Sequence, residues 1–375
     1  MSLEAWVKLN AAPDIGPRRF HRLLRAYGSP EAALAAPARA WSQVVERLSP
    51  ERCAESQSQA RAFDAARELE RCAKAGVRMA SFRDPDYPAA LLSTYDPPPL
   101  LYWRGEIVPE DRRAVALVGT RQPTEYGARQ AALLAEGLAA RGVTVVSGLA
   151  RGIDTCSHLA TLEAGGRTLA VLGTGLGMVY PEENTPLARR IAQGGGAVLS
   201  QYHLDAQPER FRFPLRNATI SGLSLGVVVV EGEEDSGSLI TADHALEQGR
   251  EVFAIPGPLD SPMSAGPLKL IQQGGAKLVR TVDDILVELA SPRPAMQALP
   301  DGASAEAGVQ AAMPRTDLKG DEAVLHALLQ EQGRSGFEAL AARSRLAAGP
   351  LAATLTLLEL KGAVRQLPGK QFEAL

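Results

Sequence analysis

Aromatic residues are scarce in this chain, at 5% of 375 residues. That argues against an extended stacking platform for single-stranded nucleic acid, but leaves room for one or two stacking rings. Positive charge is not in excess either: 40 Lys and Arg face 43 Asp and Glu, a formal net charge of −3. A general nucleic-acid binder is more often basic, so any positive field here must be local. The three cysteines, Cys53, Cys72 and Cys156, have no CxxC spacing. No disulfide framework or zinc ribbon follows, and reduced structural cysteines are expected. No apolar run reaches 18 residues, and Val227–Val230 is far too short for a membrane span. The segment MSLEAWVKLN lacks a basic stretch followed by an apolar core. A signal peptide is not expected, and the expected compartment is the cytoplasm.

The apolar share of 45% supports real cores, and the length suits two or three domains. Residues 1–80 read as a helical domain. Ile15–Gly16–Pro17 makes a turn before Phe20, Leu23, Leu24 and Tyr27, which have helical spacing. This is the pattern of a sterile-alpha-motif-like or helix-hairpin-helix domain. Arg18, Arg19, Arg22 and Arg25 then either meet a phosphate or are simply solvated. Residues 81–113 form a proline-rich connector packing on the core, with a short strand at Leu100–Trp103.

Residues 114–290 alternate apolar strands with amphipathic helices. AVALVG, VTVVSG, TLAVLG, GAVLS, LGVVVVEG, EVFAIPG and AKLV read as strands. Near-continuous apolar strands separated by helices predict an extended Rossmann-like, doubly wound, mostly parallel sheet. Residues 291–315 are rich in Pro, Ala, Gly and Ser and read as a flexible linker. Residues 316–375 give three helices and a hairpin, a winged-helix pattern. Its basic and acidic residues balance at seven each. Its recognition-helix candidate, Leu351–Leu360, carries no Arg, Lys, Asn or Gln, so a partner-binding or regulatory role is expected over duplex reading.

Three stretches carry chemistry. In VGTRQPTEYG, Gly119, Thr120 and Arg121 follow a strand, where parallel sheets hold ligands. A helix starts near Tyr126, and its free N–H groups complement an anion. Arg121 offers a fork to phosphate oxygens or pairs with a carboxylate. In SGLARGIDTCSH, Arg151 either contacts ligand or braces its loop through Asp154. His158 reads as a buried structural imidazole. In FRFPLRNATISGLS, Arg212 and Arg216 stand beside Phe211 and Phe213, arginine against aromatic, as in single-strand contacts. Pro214 is expected to stiffen a turn from which Arg216 and Asn217 project. Gly237 and Ser238 open another helix at the same crevice. The GTGLG run has GxGxG spacing, not GxGxxG, and is a poor dinucleotide fingerprint. Glu182 and Glu183 read as helix-capping carboxylates.

These motifs, in this order, resemble the bacterial DNA-processing protein A (DprA, or Smf) family. The matching segments are Gly119–Gly127, Ser147–Asp154 with His158, Ala170–Gly175 with Tyr180–Asn184, Phe213–Asn217 with Gly222–Ser224, Glu231–Gly257, and Leu270–Ala276. The resemblance implies a core that binds single-stranded DNA without a cofactor and dimerises through its α/β sheet. It also implies loading of the RecA recombinase during natural transformation and recombination. Arg121, Arg216 and Asn217 fall on the family's pocket positions. The chain departs where the family reads RNRIIAGLS, having Ala218 and Thr219, and where it reads LSEYP, having LSQYH at Leu199–His203.

The expected function is therefore a non-enzymatic single-stranded-DNA-binding recombination mediator, with no cofactor or metal. The DNA contacts expected are Gly119, Thr120, Arg121, Arg151, Arg212, Phe213, Arg216, Asn217, Gly237 and Ser238. Arg121→Ala and Arg216→Ala are each expected to weaken binding with the fold intact. An alternative is a nucleotide or nucleoside-phosphate hydrolase in the same crevice. Glu231 is then its carboxylate, unless it pairs with Arg216. A third reading is a structural or partner-binding protein.

Overall fold

Strand β3, Ala114–Val118, is buried at every position, and its side chains alternate between two cores. Val115 and Leu117 face a cluster formed with Leu134, Leu138 and Ile153, on helices Glu125–Ala139 and Ile153–Glu163. Ala114, Ala116 and Val118 face Ile220, Ala242 and Leu270, on helices Arg212–Gly222, Gly237–Glu247 and Ala265–Gln272. A strand covered on both faces favours apolar side chains on both, which is why the run is apolar throughout.

The computed structural model describes residues 2–290, 320–333, 335–344, 346, 350–351, 354–355, 357–358, 363–367 and 371–374. The sheet's other strands are β1 Arg78–Ser81, β2 Leu100–Gly105, β4 Thr144–Ser147, β5 Thr168–Leu172, β6 Gly196–Ser200, β7 Gly226–Val229, β8 Glu251–Ala254 and β9 Lys277–Leu278. Their order is β1-β2-β6-β5-β4-β3-β7-β8-β9. All pairings from β6 to β9 are parallel, while β1 and β2 add an antiparallel edge. The expected mostly parallel, doubly wound architecture is what the chain adopts. β1 lay in the zone read as helical; it pairs Arg78 with Trp103.

The N-terminal helices do not stand apart. Trp6, Phe20 and Trp41 share one buried cluster with Tyr102, Ala170 and Val198 of the sheet. Helix Pro17–Tyr27 starts after Gly16, as the periodicity predicts. Two of its arginines are held within the N-terminal segment: Arg19 donates to the carbonyls of Asp14, Glu46 and Arg47, and Arg22 pairs with Glu46 at 2.7 Å.

The described residues from 320 onward form a second compact unit. Its described part has helices Asp321–Gln332 and Phe337–Ser344 and a three-stranded antiparallel sheet. In that sheet β12, Gln371–Ala374, lies between β10, Ser335–Gly336, and β11, Val364–Leu367. Leu325, Leu340, Leu355 and Phe372 meet in its core. The expected hairpin is β11–β12. Thr354 is buried and its hydroxyl donates to the Pro350 carbonyl, so it offers nothing to a groove. The linker 291–315, like much of the segment Leu351–Leu360, falls outside the described residues. Among the described residues, no helix is long and apolar enough to cross a membrane.

Candidate nucleic-acid interface

From β3 the chain winds outward through β4, β5 and β6; β7 then starts on β3's other side. Such a reversal opens a crevice at the carboxyl ends of the strands, because the connections leave in opposite directions. A crevice of about 530 Å³ lies there, bounded by Thr120, Arg121, Phe213, Arg216, Asn217 and Ser238, among others. Gly119 and Gly237 also border it.

The loop after β3 is held by backbone pairing. Thr120 N donates to the Glu231 carbonyl, and Ile153 N donates to the Thr120 carbonyl. Gly152, at φ +76°, sits where a Cβ would run into Thr120 and Arg121. Only glycine allows that approach. Arg121 is exposed, and its guanidinium lies 5.7 Å from the Phe213 ring centre. Arg216 approaches the same ring at 5.9 Å. Tyr180 stands beside it at 5.9 Å, tilted by 51°. Among the described residues, Arg121 has no carboxylate at ion-pair distance.

The run FRFPLRN is not a turn. It forms the first part of helix Arg212–Gly222, with Pro214 in the first turn. A proline is tolerated there because the amides of that turn have no intrahelical acceptor. The helix carries Arg216 inward: it is 5% exposed and donates to the carbonyls of Gly148 and Val171. Burial pushes its guanidinium down to about 10, with Asp154 pulling the other way. It therefore stays cationic at neutral pH. Asp154, also buried, accepts from the amides of Gly148 and Ala150 at 3.1 and 3.2 Å. Burial raises its pKa and Arg216 opposes that. Arg216 is thus a framework residue as well as a wall of the crevice, which changes the expectation that its loss leaves the fold intact.

Other expected partnerships are also redrawn. Glu231 does not pair with Arg216. It is 2% exposed and accepts from Thr124 N at 2.9 Å and Thr124 Oγ1 at 2.6 Å. Thr124 Oγ1 in turn accepts from Gly127 N at 3.1 Å, capping helix Glu125–Ala139. That helix N-terminus is already filled by the protein's own carboxylate, so it is not the open anion site expected. Arg151 does not brace Asp154; it forms a two-pronged pair with Glu183, at 2.7 and 2.8 Å. Arg212 turns away from the crevice, pairing with Glu209 at 2.8 Å and lying 5.0 Å from the Tyr202 ring centre. Asn217 donates to the Gly237 carbonyl at 3.3 Å, joining two of the expected contacts. Ser238 N bonds Ser236 Oγ at 3.4 Å at the head of helix Gly237–Glu247.

His158 is buried as expected. Thr168 Oγ1 donates to the Val145 carbonyl, so it accepts from His158 Nδ1 at 2.7 Å, which fixes the proton on Nδ1. Burial, then Arg216, pushes its pKa down to about 3, so the ring is neutral at pH 7. The two departures from the family pattern touch: Thr219 Oγ1 donates to Gln201 Oε1 at 2.9 Å in the interior. Gln201 Nε2 reaches the Tyr202 hydroxyl, also at 2.9 Å. A buried hydroxyl needs such an acceptor, and Gln201 supplies it. The sequence reading did not single out Tyr180, which lines the adjoining recess beside Phe213, nor the crevice walls Ile240, Thr241 and Met263; the one signal for Tyr180 was the aromatic opening YPEEN.

Residues 78–290 match the family described as DNA recombination-mediator protein A. This chain belongs to that family. Residues 3–62 match its DprA-like N-terminal HHH domain, and residues 309–370 its DprA winged helix domain. The DNA processing protein DprA of Bacillus subtilis is 46% identical over 215 residues, covering 57% of this chain and 72% of that protein. The X-ray structure of Streptococcus pneumoniae DprA is similar with a TM-score of 0.66 at 36% identity, covering 77% of this chain and 98% of that one. A structure of the Helicobacter pylori DNA processing protein A, described for its unique single-stranded DNA binding mode, matches with a TM-score of 0.51 at 30% identity. It covers 56% of this chain and 95% of that one.

Proposed function

We propose that the crevice between the ends of β3 and β7 binds single-stranded DNA, and that the chain, as a dimer through its α/β core, delivers the strand to RecA. The setting is recombination and natural transformation. The observation that carries the reading is the approach of two guanidinium groups, Arg121 and Arg216, to one aromatic ring, Phe213. A ring with an exposed arginine suits a base stacked beside a neutralised phosphate. The Helicobacter pylori relative, whose structure is described for its single-stranded DNA binding mode, supports it. Delivery to a recombinase needs release, and contacts to backbone phosphate allow it without chemistry. The hydrolase alternative relied on Glu231, which is committed to Thr124.

Labelled oligothymidine, titrated by fluorescence anisotropy, is expected to bind more tightly than a blunt duplex and with little base preference. The logarithm of affinity should fall with log salt by about 0.7 per phosphate neutralised. Equal binding of duplex and single strand refutes the reading.

The C-terminal unit is proposed to act on partners and not on the strand. A chain ending at residue 290 is expected to hold its oligothymidine affinity within about threefold, or ~0.65 kcal/mol. Light scattering on both proteins should give the same dimer. A much larger loss places the C-terminal unit on the DNA.

A further inference from the structure

Arg151 lies beside Arg121, Phe213, Tyr180 and Arg216 in a recess bordering the crevice. Yet its guanidinium is already occupied, on both prongs, by the Glu183 carboxylate. That carboxylate is not there by chance of a mobile side chain. The next residue, Asn184, is buried and donates to the Leu149 carbonyl at 2.8 Å and to Thr155 Oγ1 at 2.9 Å. Thr155 Oγ1 donates in turn to the Ala150 carbonyl at 2.6 Å. The segment Tyr180–Asn184 is thereby fastened onto the Arg151 loop, and Glu183 is set opposite Arg151. The same segment brings Tyr180 against Phe213. Arg151 and Glu183 are both more than half exposed, at 59% and 56%. An exposed pair of this kind is easily exchanged for another anion.

We propose that Glu183 is a built-in competitor for phosphate: it holds Arg151 until a backbone phosphate of the single strand takes the guanidinium over. The inference rests on the single-strand reading of the crevice. Two oxygens of a carboxylate and two of a phosphate present the same geometry to a guanidinium fork. The exchange has a measurable consequence. An arginine that leaves a carboxylate for a phosphate exposes a fresh negative charge, which gathers cations. The contact then releases no net counterion and adds nothing to the salt dependence. Arg121, with no such partner among the described residues, contributes its full share. Glu183 therefore weakens the complex and flattens its salt response, which suits a protein that must pass its strand on.

The test uses the full chain, labelled oligothymidine and a salt series. Glu183→Gln is expected to bind roughly two- to fivefold more tightly at low salt. Its salt slope should steepen by about 0.7. Arg151→Ala alone is expected to change affinity less than about twofold, since the lost contact and the lost competition offset each other. In Arg151→Ala/Glu183→Gln the gain should vanish. Melting temperatures should match in all four proteins, since both side chains are exposed. An unchanged slope in Glu183→Gln, or a gain that survives in the double variant, overturns the proposal. The second result would mean that any lost negative charge helps. If the unaltered chain does not bind oligothymidine, the single-strand reading falls, and this inference with it. If it binds and Arg121→Ala weakens it while Glu183→Gln does nothing, only the inference falls.

Discussion

Arg216→Ala is expected to lower the unfolding free energy by about 3–5 kcal/mol, a large part of what a domain possesses. Arg216 donates to two main-chain carbonyls, Gly148 on the loop after β4 and Val171 within β5. Gly148 and Val171 are themselves buried, as is Arg216 at 5% exposed. Charge-assisted bonds of this kind exceed neutral ones, and an orphaned buried acceptor carries the full desolvation cost. Asp154 compounds the loss. Its buried carboxylate has Arg216 as the main charge opposing its protonation. Without that cation, it must be neutralised or hold its charge on its hydrogen bonds alone. Urea unfolding should show a lower midpoint with an unchanged slope. A loss under about 1 kcal/mol would mean the guanidinium is not part of the framework. Any affinity measured for this variant must therefore refer to its folded fraction.

What the sequence made legible follows from how the chain is buried. β3 through β8 are covered on both faces, so they announce themselves as apolar runs. β1 does not: Arg78 is exposed and only Ala80 and Ser81 are buried. As an antiparallel edge strand it has too few constrained positions to show a pattern. Pro214 misled for a different reason. Proline excludes a helix interior but not a first turn, and Arg212 starts the helix two residues earlier. The glycine-rich loops placed the crevice, because tight turns after strands are local. The partners of the charged residues were not local. Glu231 meets Thr124 across 107 positions, and Arg151 meets Glu183 across 32. No periodicity carries such information. Arg121, exposed and short of a carboxylate, and Arg216, buried and anchored, look alike as letters and differ entirely in what they do.

Arg121→Ala should separate those two roles. It is expected to weaken oligothymidine binding roughly tenfold or more, the worth of one charge-assisted contact. Stability should shift by no more than about 0.5 kcal/mol, as for exposed positions that hold nothing in place. The side chain is exposed, its backbone loop is held by Thr120 and not by its guanidinium, and its one described ring contact is with Phe213. Arg121→Lys sharpens the reading. Lysine keeps the charge but has no planar fork and stacks poorly on a ring. If Arg121 acts only as a point charge, lysine should restore most of the affinity and the same salt slope. If it clamps a phosphate while lying over Phe213, lysine should restore the slope but not the affinity. Phe213→Ala should then cost much less in the Arg121→Ala background than in the unaltered chain, because ring and guanidinium form one contact surface. Full affinity in Arg121→Ala would move the strand off the β3–β7 crevice altogether, whatever the stability of the variant.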